Sequence, residues 1–276
     1  MKKEIREVDT ERGIVQITTF DERWYWKAVE DRSIPTVKNL FVPSVTWIAG
    51  HYPKGIAFYK WLADKGWDEA EAIKQAAGDK GSKIHLAIDD LVHGKQITMD
   101  AKYPSKSTGQ LEELSVQEYE AILSFADWFN ETKPEIIASE YVVFNDEYGY
   151  AGTVDIKCKI DGKTYIVDLK SGQNIWPEYE LQLSAYKHAE EGIDALAILQ
   201  VGYRKNKRSF KFTEIEDKFD LFLAAKQIWA NECAGQTPAQ KDYPLSISLS
   251  KDTPEPQAPK VAKSTKQKNA GDNISQ

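Results

Sequence analysis

The stretch YIVDLKSG, residues 165–172, reads as a buried strand that carries an acid and a base, Asp168 and Lys170, where apolar residues belong. Upstream, Asp161-Gly162 separates two alternating runs, GTVDIKCKI and KTYIVDLK. That dipeptide signals a two-residue hairpin loop with both central residues at positive φ. Counting back from it pairs Ile160 with Lys163, Cys158 with Tyr165 and Ile156 with Val167, and sets Asp155 opposite Asp168. Val154, Ile156 and Cys158 then share a face with Tyr165, Val167 and Leu169, which leaves Asp155, Asp168 and Lys170 together on the other. Opposed side chains sit about 5 Å apart at Cβ. Two carboxylates at that distance repel by on the order of 3 kcal/mol at an effective dielectric of roughly 20. A cation or a proton relieves the repulsion. Two aspartates with a neighbouring backbone carbonyl are hard oxygen ligands suited to Mg²⁺ or Mn²⁺, and a lysine two residues on can hold or deprotonate a water. The competing reading is a solvated strand end, in which Lys170 bridges two acids that face water.

The elements that would position these residues are legible in outline. In PEYELQLSAYKH, Tyr179, Gln182 and Tyr186 fall at i, i+3 and i+7, so one helix face points a carboxamide and a phenol the same way. A helix directly after the DLK strand packs on the sheet beside the acids, which weighs against the solvated reading. Further strands are expected at EIIASEYVVF, ALAILQVGY and SFKFTEI, and a helix at FDLFLAAKQIWANE. Between residues 43 and 133 the pattern is helical. Ser44 caps a short helix; a second opens with Asp68 and Glu71 at capping-box spacing and stops at Gly78. A third carries Ile84, Ile88, Leu91 and Val92 on one stripe, and a fourth starts at Ser115 with Glu118 completing its box. Three β-prone runs near the start, IREV, GIVQITTF and RWYWKAV, suggest an antiparallel meander. The expected fold is α/β: an α/β/α sandwich on a central mixed β-sheet, with an N-terminal helical cap over the site. The expected divisions are a β-meander at 1–42, the helical cap at 43–133, a core at 134–249 and a disordered tail at 250–276, rich in Pro, Lys, Ser and Gln.

Composition sets bounds. The 276 residues contain no apolar run long enough to span a membrane, and the start alternates charges rather than forming a leader, so a cytoplasmic address is expected. Two cysteines, Cys158 and Cys233, are too few for a disulfide framework or a four-cysteine metal site. A net charge of −7 offers no global attraction to nucleic acid, which would need a local basic surface or metal ions. The basic run Arg204, Lys205, Lys207, Arg208 is equally a phosphate grip or a solvated turn. Trp24, Trp26, Trp47, Trp61 and Trp67 are read as core packing before base stacking.

Taken in order, Gly152-Thr153-Val154-Asp155, Asp168-Leu169-Lys170 and Gln182-Leu183-Ser184-Ala185-Tyr186 resemble the signature of the PD-(D/E)XK nuclease superfamily, with its restriction-endonuclease-like fold, in the RecB-like and Cas4-like branch. KGSKIHLAIDDLVHG is similar to that branch's first motif, a glycine followed by a helix bearing His85. VPSVTWIAG with FYKWLADKG resembles the phage exonucleases and the mitochondrial genome maintenance exonuclease. The similarity spans roughly residues 43 to 203.

The resemblance implies a divalent metal, Mg²⁺ or Mn²⁺, bound by His85, Asp155, Asp168 and the carbonyl of Leu169. Lys170 would position or activate the attacking water, and Gln182 and Tyr186 would orient the scissile phosphate or the lysine. Glu140 matches a recurrent family glutamate that supports a second metal; a surface glutamate on an edge strand is its plainer reading. An iron-sulfur cluster is not expected. The implied activity is metal-dependent exonucleolytic hydrolysis of DNA, single-stranded or at duplex ends, in phage or bacterial recombination, repair or end processing, with a recombination protein as a further partner. A site- or structure-specific endonuclease, and an inert DNA-binding module of the same fold, are the alternatives.

Overall fold

A computed structural model describes residues 4–9, 14–19, 22–27 and 41–233. The expected tail at 250–276, and the end of the expected core beyond residue 233, lie outside the described residues. In chain order the elements are β1 (Glu4–Asp9), β2 (Ile14–Thr19), β3 (Glu22–Lys27), β4 (Phe41–Pro43), α1 (Val45–Ala49), α2 (Ile56–Lys65) and α3 (Trp67–Val92). They continue with β5 (Lys102–Pro104), β6 (Leu111–Glu113), α4 (Val116–Thr132), β7 (Glu135–Asn145), β8 (Tyr150–Ile160) and β9 (Lys163–Lys170). Last come α5 (Pro177–Lys187), β10 (Ala195–Val201), β11 (Phe210–Ile215) and α6 (Phe219–Glu232).

The central sheet is mixed and five-stranded, in the order β11-β10-β9-β8-β7. β9 and β10 run parallel, and the other neighbours antiparallel. Parallel neighbours need a crossover, and α5 supplies it. Helices cover both faces. Ile84 and Ile88 of α3 and Phe125 and Trp128 of α4 close over Ile156, Val167, Leu169 and Leu199 on one side. Val45 and Ile48 of α1, Leu181 and Ala185 of α5 and Phe222 of α6 close over Val154, Ile166 and Ile198 on the other. The helices of residues 43–133 thus divide between the two layers, while α2 has no buried residue. β1 to β4 form a separate antiparallel sheet in chain order, to which β4 adds an edge.

Local signals explain where most elements begin. The Ser44 side chain accepts the Trp47 N–H at the start of α1, and Ser115 and Glu118 form both bonds of a capping box at the start of α4. Asp161 at φ 50° and Gly162 at φ 82° make the expected β8–β9 loop.

Three expectations are corrected. The helix predicted to stop at Gly78 continues: α3 is one 26-residue helix through Gly78 and Gly81. A glycine ends a helix by taking positive φ, and neither residue does so. Nor does Asp68 cap this helix; Gly66, at φ 75° and without a side-chain bond, holds that place, and Asp68 instead lends its charge to the first turn. Val154 and Ile156 do not share a face, since Val154 packs under α5 and Ile156 under α3. The β8–β9 ladder stops at Ile156 paired with Val167, and beyond it β8 turns away from the regular alternation.

Candidate active site

The DLK segment ends β9, the middle strand, so Asp168 and Lys170 emerge where the sheet meets α5 on one side and α3 on the other. Asp155 does not face Asp168 across a ladder rung. Its Oδ2 accepts the Leu169 N–H at 2.7 Å, so a side chain takes the bond that a backbone carbonyl makes in a regular ladder. On the other edge of β8, Ser139 pairs with Ile156 and Tyr141 with Val154, which places Glu140 opposite Asp155. Glu140 has φ 46°, a left-handed conformation unusual for a side-chain-bearing residue in a strand.

His85 reaches this point from α3. Its Nε2 donates to the Leu169 carbonyl at 3.1 Å, and its Nδ1 lies 3.3 Å from Asp155 Oδ1 and 3.6 Å from Glu140 Oε1. Burial opposes charge on the imidazole, but Asp155 and Glu140 outweigh it and push the pKa up to about 10. Burial also works against the Asp155 carboxylate, and His85, followed by Lys170 and the Leu169 N–H, still holds it below the ordinary aspartate value.

Asp168 sits on the α5 side. Burial, with Asp155 adding to it against Lys170, raises it to about 6. Gln182 Nε2 donates to its Oδ1 at 3.2 Å and to the Tyr186 hydroxyl at 3.0 Å. Its buried Oδ2 forms an ion pair with the Lys170 ammonium at 2.5 Å. Burial opposes the Lys170 charge, yet Asp168 and Asp155 raise its pKa and keep it a cation. The same ammonium stands 4.6 Å from the centroid of the Tyr179 ring.

α5 is placed by Pro177 at its first position and by Lys54, which meets Glu178 in its first turn at 2.5 Å. Tyr186 packs so closely on β8 that a Cβ at Gly152 would come 2.5 Å from its ring.

The sequence-predicted residues fall into two groups. His85, Glu140 and Asp155 bring ligand atoms within 4.8 Å of one another, with the Leu169 carbonyl on the same imidazole. Asp168, Lys170, Gln182 and Tyr186 form a chain of contacts beside them. His51, His93 and His188 stand elsewhere, on Trp47, Asp89 and Asp217. Two glutamines escaped the sequence reading. Gln200 is fully buried in β10 and donates to the Gly172 carbonyl at 2.8 Å; Gln173 donates to the Gly202 carbonyl at 3.0 Å. A lone glutamine inside ALAILQV was the available signal for the first.

The donor set fits a divalent metal. Two carboxylates and an imidazole with ligand atoms within 4.8 Å of one another suit a hard or borderline cation.

No family model matches the chain, and no curated protein matches it. Among solved structures it is similar to an alkaline exonuclease (LHK-Exo) from Laribacter hongkongensis, at 11% sequence identity and a TM-score of 0.36, with 68% of this chain and 86% of that one covered. The structure of LHK-Exo in complex with dAMP gives 14% identity at the same TM-score and coverage. No helix among the described residues is long and apolar enough to cross a membrane.

Proposed function

We propose that the chain is a divalent-metal-dependent deoxyribonuclease that hydrolyses phosphodiester bonds from DNA ends. One observation carries this reading: His85, Glu140, Asp155 and the Leu169 carbonyl converge on one point, with a buried Asp168–Lys170 ion pair beside it. Charges so placed cost several kcal/mol of desolvation, and such groups cluster where a ligand or a reaction uses them.

His85, Glu140, Asp155, Asp168 and the Leu169 carbonyl would hold the metal, Mg²⁺ or Mn²⁺. When bound, the metal polarises the phosphoryl group and lowers the pKa of water. Lys170, held by Asp168 and the Tyr179 ring, positions the attacking water and places positive charge near the phosphoryl oxygens. Gln182 fixes Asp168 through Oδ1, and Tyr186, seated on Gly152, fixes Gln182. The RecB-like resemblance supports phage or bacterial DNA recombination, repair or end processing as the setting.

The test is an assay on end-labelled linear DNA, single- and double-stranded, and on closed circular DNA, with Mg²⁺, Mn²⁺ or EDTA. Wild type should degrade linear DNA only, and Asp168→Ala should be inactive. Cleavage that survives EDTA or Asp168→Ala overturns the mechanism; cleavage of closed circles replaces the exonuclease with an endonuclease.

A further inference from the structure

Beyond Lys170 the chain enters a cleft of about 540 Å³ between α4, the middle of α3 and the loops that follow β9 and β10. Ser171, the next residue after Lys170, lines it. A Cβ at Gly81 would stand 3.9 Å from Ser171 Oγ, so α3 passes closely over the end of β9.

The floor of this cleft is rigidly built. Gln200 and Gln173 cross-brace the two loops through the Gly172 and Gly202 carbonyls, and the Gly202 N–H donates to the buried Ser124 hydroxyl at 2.7 Å. The Arg204 N–H donates to Gln173 Oε1 at 2.8 Å, which fixes where the arginine starts. Gly202 stands at φ 63° with Ala121 beside it. A fully buried glutamine is a costly way to shape a surface loop. It is repaid if the loop must present a group at a set place.

The groups presented are Lys80 and Arg204. Among the described residues neither has a carboxylate oxygen within 4.0 Å, although the chain carries 43 acids. Lys83, one turn along α3, has two, Glu112 and Glu118. Lys80 instead donates to Gln117 Oε1 at 3.2 Å. Both cations line the cleft, and burial, then repulsion from Arg204, lower the Lys80 pKa against the opposing pull of Glu118 and Glu120. An anion between them removes that repulsion. Glu120 and Asp127 line the α4 wall of the same cleft and disfavour a run of phosphates.

We propose that this cleft binds a phosphate of the DNA strand that does not itself react, held by Lys80 and Arg204 next to the cleavage site. The proposal rests on the nuclease reading and names how that site holds its strand.

The experiment measures binding of labelled single-stranded DNA by fluorescence anisotropy in EDTA, so that cleavage plays no part. Lys80→Gln/Arg204→Gln should weaken binding about tenfold. It should also lower the slope of log Kd against log salt by about 0.7, the share of one phosphate on a single strand. Lys207→Gln/Arg208→Gln makes the same charge change in the same turn, outside the cleft lining, and should have little effect. A single methylphosphonate at one linkage should weaken wild-type binding to the level of the Lys80/Arg204 variant and leave that variant unchanged.

Equal losses for both double variants, or a methylphosphonate scan without a sensitive position, overturn the proposal. DNA binding with this pattern but without metal-dependent cleavage overturns only the nuclease reading. Absence of DNA binding overturns the proposal, while the nuclease reading is decided by the cleavage assay. Thermal melting of each variant checks that the fold is kept.

Discussion

Asp155 accepts the Leu169 N–H on its carboxylate at 2.7 Å, one position beyond the last rung of the β8–β9 ladder. One side chain thus closes the strand pair, faces His85 and sets the Leu169 peptide whose carbonyl His85 also meets. Structural and chemical duties meet on one residue, and substitution can separate them. Asp155→Asn keeps an acceptor for the N–H but not the charge that faces His85, and should be destabilised less than Asp155→Ala. Asp155→Ala strands both the N–H and the His85 charge and should lose about 2–4 kcal/mol. Both should lose at least about 100-fold in DNA cleavage. Mn²⁺ at 100 times its Kd should stabilise wild type by about 2.7 kcal/mol in thermal melts, reversibly with EDTA. The asparagine variant should lose most of that gain. Wild-type cleavage by Asp155→Asn would remove Asp155 from the site.

Gly152 is where α5 touches β8. A Cβ there comes 2.5 Å from Tyr186 Cε1, so Gly152→Ala must displace the ring and with it Gln182. The expected loss is about 1–3 kcal/mol of stability, together with a fall in kcat. In a Tyr186→Ala background the same glycine substitution should cost almost nothing. Denaturant melts of the four proteins give the coupling energy, and additive losses would show that the contact is not responsible.

Glu140 stands at φ 46° in the middle of β7. Glu140→Gly relieves about 1 kcal/mol of backbone strain and removes the side chain from the proposed metal-binding group. The variant should melt no lower than wild type while losing cleavage. Retained activity at raised stability would leave the strain without a role, and a lower melting temperature would refute it as strain.

Tyr179 presents its ring face to the Lys170 ammonium, and on the proposed mechanism it positions that lysine. Cation–π contact of about 0.5–2 kcal/mol corresponds to a loss of up to about 30-fold. Tyr179→Leu should therefore lower kcat with little change in KM, and Tyr179→Phe should restore it. If phenylalanine behaves like leucine, the hydroxyl matters and the ring does not.

Burial pushes the Cys158 thiol up to about 12. At pH 8 its thiolate fraction is then about 10⁻⁴, so the thiol should resist alkylation until the core opens. In a Cys233→Ser background, labelling by iodoacetamide should be negligible in the native state and complete in denaturant. Rapid native labelling would place Cys158 outside the core.

The legible parts of the fold were those set by chemistry close in sequence. Asp161-Gly162 fixed the β8–β9 register, and Ser44, Ser115 and Glu118 marked helix starts, because each acts within a few residues. The illegible parts depend on distant partners. Gly78 and Gly81 read as a break, yet packing of Ile84 and Ile88 on the sheet carries α3 through them. The Asp155–Asp168 opposition expected from parity stops short, because the acceptor for the Leu169 N–H is a side chain and alternation carries no record of that. The sequence placed Asp168 with Asp155 and left Glu140 at the margin; the structure draws Glu140 to His85 and Asp155 and sets Asp168 against Lys170. A left-handed glutamate has no sequence signature, and Gln200 declares itself only through the loop it braces.

The unbroken run of α3 has a mechanical consequence. Trp67, its exposed outer end, lies about 27 Å along the axis from His85, with Lys80 between them. The imidazole and the ammonium ride on one lever arm. A force on the outer turns shifts both at once, so the proposed metal ligand and the proposed strand grip would be adjusted together.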